Sequence, residues 1–258
     1  YGRLTVRLIA LDKGHDMMLL KAELAQKKTE YLPPASVMPL VTERIYQFGA
    51  PKNRYEILQT GTIAREGTYF EYYGKQHEHY VEVIHVAAPI QGGTSGGPWV
   101  NKYGDYIGLQ SGTLLEGNSP CGLAFMAPVN KFSQVIKTKR SAVSRNLDFR
   151  LMHLGSQESK VIARYNGHRE GLVVLNINNN SPAAEAGLIQ WDLIIALDGQ
   201  IVRTRNDILT LVRKSADKTV LLTVLSIDQR KSKILKIPVD IVEDRVIFRR
   251  GPRKITTN

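Results

Sequence analysis

Short apolar runs separated by Gly, Pro and charged turns dominate the chain up to Asn130, and their alternation predicts strands rather than helices. The clearest windows run over Leu4 to Leu11, Met17 to Lys21, Ile45 to Gly49, Leu58 to Ala64 and Tyr80 to Ala87. Trp99-Val100-Asn101 and Tyr106-Ile107-Gly108-Leu109 flank Lys102-Tyr103-Gly104-Asp105 and predict a hairpin. A helix is expected over Lys131 to Lys137, with Asn130 as its cap, followed by a polar linker from Ser141 to Asn146. The pattern then changes. Gly171 to Ile177 reads as a strand, Ser181 to Leu188 as a capped helical turn closed by Gly187, and Asp192 to Val202 as a hairpin around Asp198-Gly199. In Asn206 to Lys214, Ile208, Leu211 and Val212 have the spacing of one apolar helix face, more often core than groove. Val220 to Ile227 and Lys233 to Val239 close the pattern as a hairpin around Asp228 to Lys231. The expected organisation is a mainly β unit over 1–140, a linker over 141–150, an α+β unit over 151–243 and a basic tail over 244–258.

The chemistry concentrates at Gly92-Gly93-Thr94-Ser95-Gly96-Gly97-Pro98. Glycines on both sides of one serine let the backbone take positive φ and bring N–H groups close to a reacting carbonyl, as an oxyanion hole requires. The run also fits G-x-S-x-G, but a hydrolase elbow needs a helix directly after the serine. Gly96-Gly97-Pro98 starts a helix poorly, so the esterase alternative is disfavoured and a serine followed by a hairpin fits better.

Leu8 to Lys21 sets Asp16 between two apolar runs. Together with the serine motif, Gly49-Ala50-Pro51, Val86-Ala87-Ala88-Pro89-Ile90 and Gly122 to Asn130, this segment resembles the HtrA/Deg-type trypsin-like serine proteases. Gly171-Leu172-Val173-Val174, Ser181 to Leu188 and Asp192 to Val202 resemble a PDZ domain of the same family. The resemblance implies a chymotrypsin-like double β-barrel whose first barrel is incomplete here, followed by an α+β PDZ domain. Ser95 is then the nucleophile, Asp16 the acid that orients a histidine, and the N–H groups of Gly93 and Ser95 the oxyanion hole. Ile90, Gln110 and Ser111 would line an S1 pocket without an acid, suited to small or medium aliphatic P1 side chains. Gly171, Leu172, Val173 and Val174, with Ile208, Leu211 and Val212, would bind peptide C-termini by strand addition. Two positions depart from the pattern: Trp191 stands where the family usually has glycine before Asp192, and the loop lacks a second glycine. The resemblance further implies unfolded-protein substrates in quality control, a homotrimer or higher homo-oligomer, and the cell envelope, periplasm or an organelle. It implies no cofactor.

The family order puts a histidine before the aspartate, and only His15 precedes Asp16. Neighbours on a strand point to opposite faces, so His15 is badly placed as the base. Either an upstream segment carries the base, as the opening Tyr1-Gly2-Arg3 and the shortage of strands before Ser95 suggest, or the chain is an inactive protease that serves as a PDZ-bearing scaffold or chaperone-like binder. His77-Glu78-His79 would place two imidazoles on one strand face without an evident third metal ligand, and reads as a solvated hairpin.

Composition adds bounds. With 258 residues and 43% hydrophobic content, two modest cores can form. The single cysteine, Cys121, excludes an intramolecular disulfide and reads as a small buried residue or a loop thiol. The net charge of +11 comes from scattered groups, including Lys27-Lys28, Lys137 to Arg140 and Arg249 to Lys254. No aromatic stacking platform accompanies them, so a solvated surface is expected rather than a specific nucleic-acid site.

Overall fold

Strands β1 (Val6–Asp12) and β2 (Met17–Ala22) form an antiparallel hairpin joined by a single 3-10 turn, Lys13–His15. The computed structural model describes residues 5–23, 30–74, 79–227 and 231–242. Lys27-Lys28, His77 and Glu78, the turn residues Asp228 to Arg230 and the basic tail over 244–258 lie outside the described residues. Val6, Met18 and Leu20 of the hairpin are exposed, whereas Ala10, Leu11 and Met17 near its turn are buried. One hairpin is all that these residues contribute to a first barrel.

A closed barrel follows, built from β3 (Arg44–Gly49), β4 (Ile57–Ile63), β5 (Tyr69–Tyr73), β6 (His79–Ala87), β7 (Pro98–Val100), β8 (Tyr106–Glu116) and β9 (Ser119–Pro128). The strand order is β4-β3-β7-β8-β9-β6-β5, and a β4–β6 pairing closes the ring with β5 outside it. Ile45, Val86, Trp99, Ile107 and Met126 fill the interior. Trp99 donates its indole N–H to Gln110 Oε1 at 2.9 Å, so its one polar atom is satisfied inside an apolar core. Truncating Trp99 to alanine would cost about 3–5 kcal/mol. The helix α1 (Val129–Thr138) then packs on the barrel. Its N-cap is Pro128 with no side-chain cap, and Asn130 lies inside the first turn with Oδ1 on Lys131 N–H. The capping expected from Asn130 is therefore absent, because the helix begins one residue before it.

The C-terminal unit comprises β10 (Ser144–Asn146), β11 (Phe149–His153), α2 (Ser159–Ile162), β12 (Leu172–Ile177), α3 (Pro182–Glu185), β13 (Leu193–Leu197), β14 (Gln200–Ile201), α4 (Arg205–Lys214), β15 (Thr219–Leu225), β16 (Lys233–Pro238) and β17 (Asp240–Val242). Its main sheet runs β11-β12-β13-β15-β16, with β14 on β13. Ser181 accepts from Ala184 N–H at the start of α3, and Thr204 and Asp207 form a capping box on α4. Trp191 takes a left-handed φ of 72°, the conformation that would favour glycine there.

Two expectations are corrected. The polar stretch read as a linker is β10, paired with β17, and Asn146 is fully buried with its amide on the Tyr80 backbone. Its polarity serves paired backbone groups rather than solvent. The strand at Gly171 to Val174 is not a free edge, since β12 pairs with β11 on one side and β13 on the other. A run as apolar as Leu172-Val173-Val174, all fully buried, is the pattern of a central strand covered on both faces. The edge strands of this sheet are β11 and β16.

The two units share a core. Phe70 on β5 and Tyr80 on β6 cluster with Phe149, Leu151, Ile208, Leu209 and Val212. Polar links frame that core: Asn206 bonds Phe70 N–H and the Thr68 carbonyl, Arg205 pairs with Glu71 at 3.3 Å, and Arg213 donates to the Tyr80 carbonyl at 3.1 Å. Strand β5, which supplies much of this contact, has no clean alternation in Tyr69-Phe70-Glu71-Tyr72-Tyr73, because most of its side chains find partners on both faces.

Candidate active site

Ser95 lies in the turn between Gly92 and Pro98 with an exposed side chain, and its hydroxyl donates to the Ser111 carbonyl at 3.2 Å. Asp16 follows the 3-10 turn in a left-handed conformation with φ of 52°, and its N–H on the Lys13 carbonyl closes that turn. Its Oδ2 accepts from the Ser111 hydroxyl at 2.6 Å. Ser111 therefore gathers both sequence-predicted groups from distant parts of the chain, the carboxylate through its side chain and the hydroxyl through its backbone. The Tyr73 hydroxyl lies 2.7 Å from Ser111 Oγ and continues the chain to β5. Burial, aided by the charges of Asp16 and Glu71, pushes the Tyr73 phenol well above its ordinary range, so it remains a neutral donor.

The loop before Ser95 is held open for a small group. Gly93 has φ of +100°, and a Cβ there would lie 2.6 Å from the Ala50 carbonyl oxygen, so no side chain fits. Among the described residues, Gly96 N–H bonds the Gln110 carbonyl and Gly97 N–H the Thr94 carbonyl, whereas the N–H groups of Gly93 and Ser95 bond no described acceptor. Two unspent donors flank the serine hydroxyl, and that arrangement can receive an oxyanion.

The expected S1 residues are placed differently from one another. Ile90 is 1% exposed within the barrel core, and the Gln110 amide is spent on Trp99 and the Gly112 carbonyl. Both side chains are turned into the barrel, while the Gln110 backbone bonds Gly96 and Gly97 and the Ser111 carbonyl takes the Ser95 hydroxyl. Beside Ser111, a cleft of about 820 Å³ opens between Tyr73, Gly112 and Phe125 on one wall and Arg150 to His153 of β11 on the other.

No imidazole joins Asp16 to Ser95 among the described residues. His15 bonds Asp12 and Glu82, His79 Nε2 lies 3.0 Å from the Lys13 carbonyl, and His85 bonds Glu71. His153 and His168 belong to the C-terminal unit. No cluster of three metal-ligating side chains occurs among the described residues. Cys121 is exposed on β9 with its thiol on the Leu114 carbonyl, against the expectation of a small buried residue or loop thiol.

The C-terminal unit offers a second candidate site at the edge of β11 facing α4, and it is occupied from within. Leu151 N–H, on the edge not used by β12, donates to the Tyr80 hydroxyl at 2.7 Å. Ile208 and Val212 are fully buried and Leu211 partly so, which places their stripe in the shared core with Phe70 and Tyr80.

The geometry defines a trypsin-like peptidase fold joined to a PDZ domain. The family described as a trypsin-like peptidase domain matches residues 2–109, and the PDZ domain family matches 153–241. Within that class its relatives and structural neighbours are of the HtrA/Deg type. It is 24% identical over 222 residues to "Serine protease HTRA1A" of Danio rerio, covering 81% of this chain and 45% of the relative. It is 26% identical over 261 residues to a "Probable periplasmic serine endoprotease DegP-like" of Pseudomonas fluorescens, covering 94% and 53%. The chain thus spans about half the length of these curated relatives. Among solved structures, "HtrA-type protease AlgW with decapeptide" superposes with a TM-score of 0.58 at 21% identity, covering 92% of this chain and 71% of that one. No helix among the described residues is long and apolar enough to cross a membrane.

Proposed function

We propose that this chain forms the nucleophile-bearing part of a serine endopeptidase acting on unfolded or misfolded proteins. Ser95 attacks the scissile carbonyl, the N–H groups of Gly93 and Ser95 stabilise the tetrahedral oxyanion, and Asp16 orients an imidazole that comes from outside the described residues. The observation that carries this reading is Ser111, which holds the Asp16 carboxylate and the Ser95 hydroxyl on one residue. Broad cleavage after small or medium aliphatic residues rests on the sequence alone, since Ala88 to Gln91 and Leu109 to Gly112 hold no acid, and not on the packing of Ile90 or Gln110. The PDZ domain binds peptide C-termini at the β11 edge, where an incoming strand must first displace Tyr80 from Leu151. The periplasmic relatives support an envelope location; proteolytic quality control and a homo-oligomer belong to this reading through the resemblance alone.

The test is cleavage of an unfolded protein such as a casein by the full-length gene product. Ser95→Ala is expected to abolish cleavage while leaving thermal unfolding within about 0.5 kcal/mol, since the side chain is exposed. Full activity in that variant would remove the assignment. The competing reading is a catalytically inactive, PDZ-bearing binder, favoured by the lack of an imidazole beside Ser95 among the described residues. It gains if the wild-type protein binds casein without cutting it.

A further inference from the structure

His15 is 6% exposed, adjacent to Asp16 in sequence, and has no part in the chemistry above. Its Nδ1 lies 2.8 Å from Asp12 Oδ2 and its Nε2 3.0 Å from Glu82 Oε2, while Glu82 Oε1 accepts from the Thr68 hydroxyl at 2.6 Å. The turn that carries His15 is enclosed on its other side as well. Gly14 is so close to Ser144 and Arg213 that no Cβ could be added there. The Lys13 carbonyl accepts from Asp16 N–H at 3.3 Å and faces His79 Nε2 at 3.0 Å.

We propose that His15 is a positioning residue for Asp16: by bonding Asp12 on β1 and Glu82 on β6, it pins the Lys13–His15 turn to the closed barrel, so that the next residue holds its carboxylate on Ser111. The inference rests on the endopeptidase reading and adds a component to the same site. Val6, Met18 and Leu20 of the hairpin β1–β2 are exposed, so its place on the barrel depends on the turn end, where Ala10, Leu11 and Met17 are buried and His15 reaches Glu82. Only an imidazole with both nitrogens protonated donates to both carboxylates; the neutral ring would turn a lone pair toward one of them. Burial disfavours the charged ring, but the bonds and charges of Asp12 and Glu82 outweigh it and raise the His15 pKa.

The charged groups around this ring are Asp12 from β1, Glu82 from β6, Arg213 from α4 and Lys131 from α1, whose charge acts on Glu82, with Arg140 and, from β10, Arg145 lining the same cavity. With His15 protonated, the two carboxylates are balanced by His15 and Arg213. Loss of the proton leaves an excess buried negative charge, so the pin holds at low and neutral pH and loosens as pH rises through the raised value.

His15→Gln and Glu82→Gln, made in the full-length gene product, test this. Each is expected to lower kcat by on the order of tenfold, because a small misplacement of a catalytic group is costly. KM should stay within about twofold, since the substrate surfaces are untouched. In the wild type, kcat should fall on the alkaline side as His15 deprotonates. Glu82→Gln should move that fall to lower pH, and His15→Gln should remove it. Should His15→Gln fail to fold, Glu82→Gln, which keeps the shape of the side chain, decides alone. Unchanged kcat and an unmoved alkaline limb in the folded variants would overturn the proposal. If the wild-type protein cleaves nothing, the endopeptidase reading falls, and the pin is judged by NMR. The amide resonances of Asp16 and Ser111 should then shift as His15 titrates, and their indifference to that titration would overturn it.

Discussion

At the scale of single residues, Ser111 does most to join the site, and it does so in two separable ways. Its carbonyl accepts from Ser95, whereas its hydroxyl bridges Tyr73 and Asp16. Ser111→Ala removes only the second, so the account expects kcat to fall by roughly tenfold, about 1.4 kcal/mol, with little change in KM or in the folded fraction. Steady-state kinetics on a peptide substrate measure this. A different residue offers a check on the fold itself. Lys139 ends α1 in an exposed left-handed conformation with φ of 53°, where a β-carbon is penalised. Lys139→Gly is therefore expected to raise stability by about 1 kcal/mol, read from urea unfolding. Ser95 stands out in the sequence by its glycine turn, and Asp16 through the resemblance to HtrA/Deg-type proteases; their meeting at Ser111 has no local mark. Ser111 could be read as a neighbour of the site, but its bonds depend on the register of β8 against loops far away in sequence. The inward direction of the Ile90 and Gln110 side chains has no local mark either, because it depends on how the loop before Ser95 and β8 pack on the barrel core.

At the scale of elements, most strands followed from alternation and turn chemistry: the hairpin after Ser95, the Asp198-Gly199 turn and the β15–β16 pair are all present. What alternation could not supply was strand order. Gly171 to Val174 is a well-predicted strand in an unpredicted place, central rather than at the edge, and β11 takes the edge beside it. The consequence is testable at Tyr80. Tyr80→Phe leaves Leu151 N–H without its acceptor, which should cost about 1–3 kcal/mol of stability. The same change frees the edge for an incoming strand, so affinity for a peptide with a free apolar C-terminus should rise. Calorimetric titration compares the two proteins, and an unchanged affinity would mean that Tyr80 does not guard the edge. An amidated peptide should bind more weakly to both, because it lacks the terminal charge.

Across the whole molecule, charge ties the peptidase and PDZ domains together and gives stability a defined pH window. Burial opposes ionisation of Glu82, yet the bonds from His15 and Thr68 and the charges of His15 and Lys131 hold it at about 2. A lowered carboxyl pKa contributes stability that is present above its ordinary value of 4.5 and lost as pH falls toward 2. The raised pKa of His15 contributes stability that is present below 6.5 and lost as pH rises through the folded value. The midpoint of urea unfolding should therefore be highest between about pH 5 and 6.5 and decline on both sides. His15→Gln should flatten the alkaline decline. None of this coupling was legible in sequence, where His15 looked only like a misplaced base, because Asp12, Glu82 and Arg213 meet through tertiary packing alone.

The most direct measurement of the central claim is covalent trapping of the nucleophile. The full-length gene product is treated with a fluorophosphonate that phosphonylates activated serines, and the adduct is located by peptide mass spectrometry. The account predicts one stoichiometric adduct on Ser95, lost in Ser95→Ala and formed at least about a hundredfold more slowly in Asp16→Asn, which removes the charge that orients the base. Cleavage of casein by a protein whose Ser95 stays unmodified, or an adduct on another serine that abolishes cleavage, would contradict it.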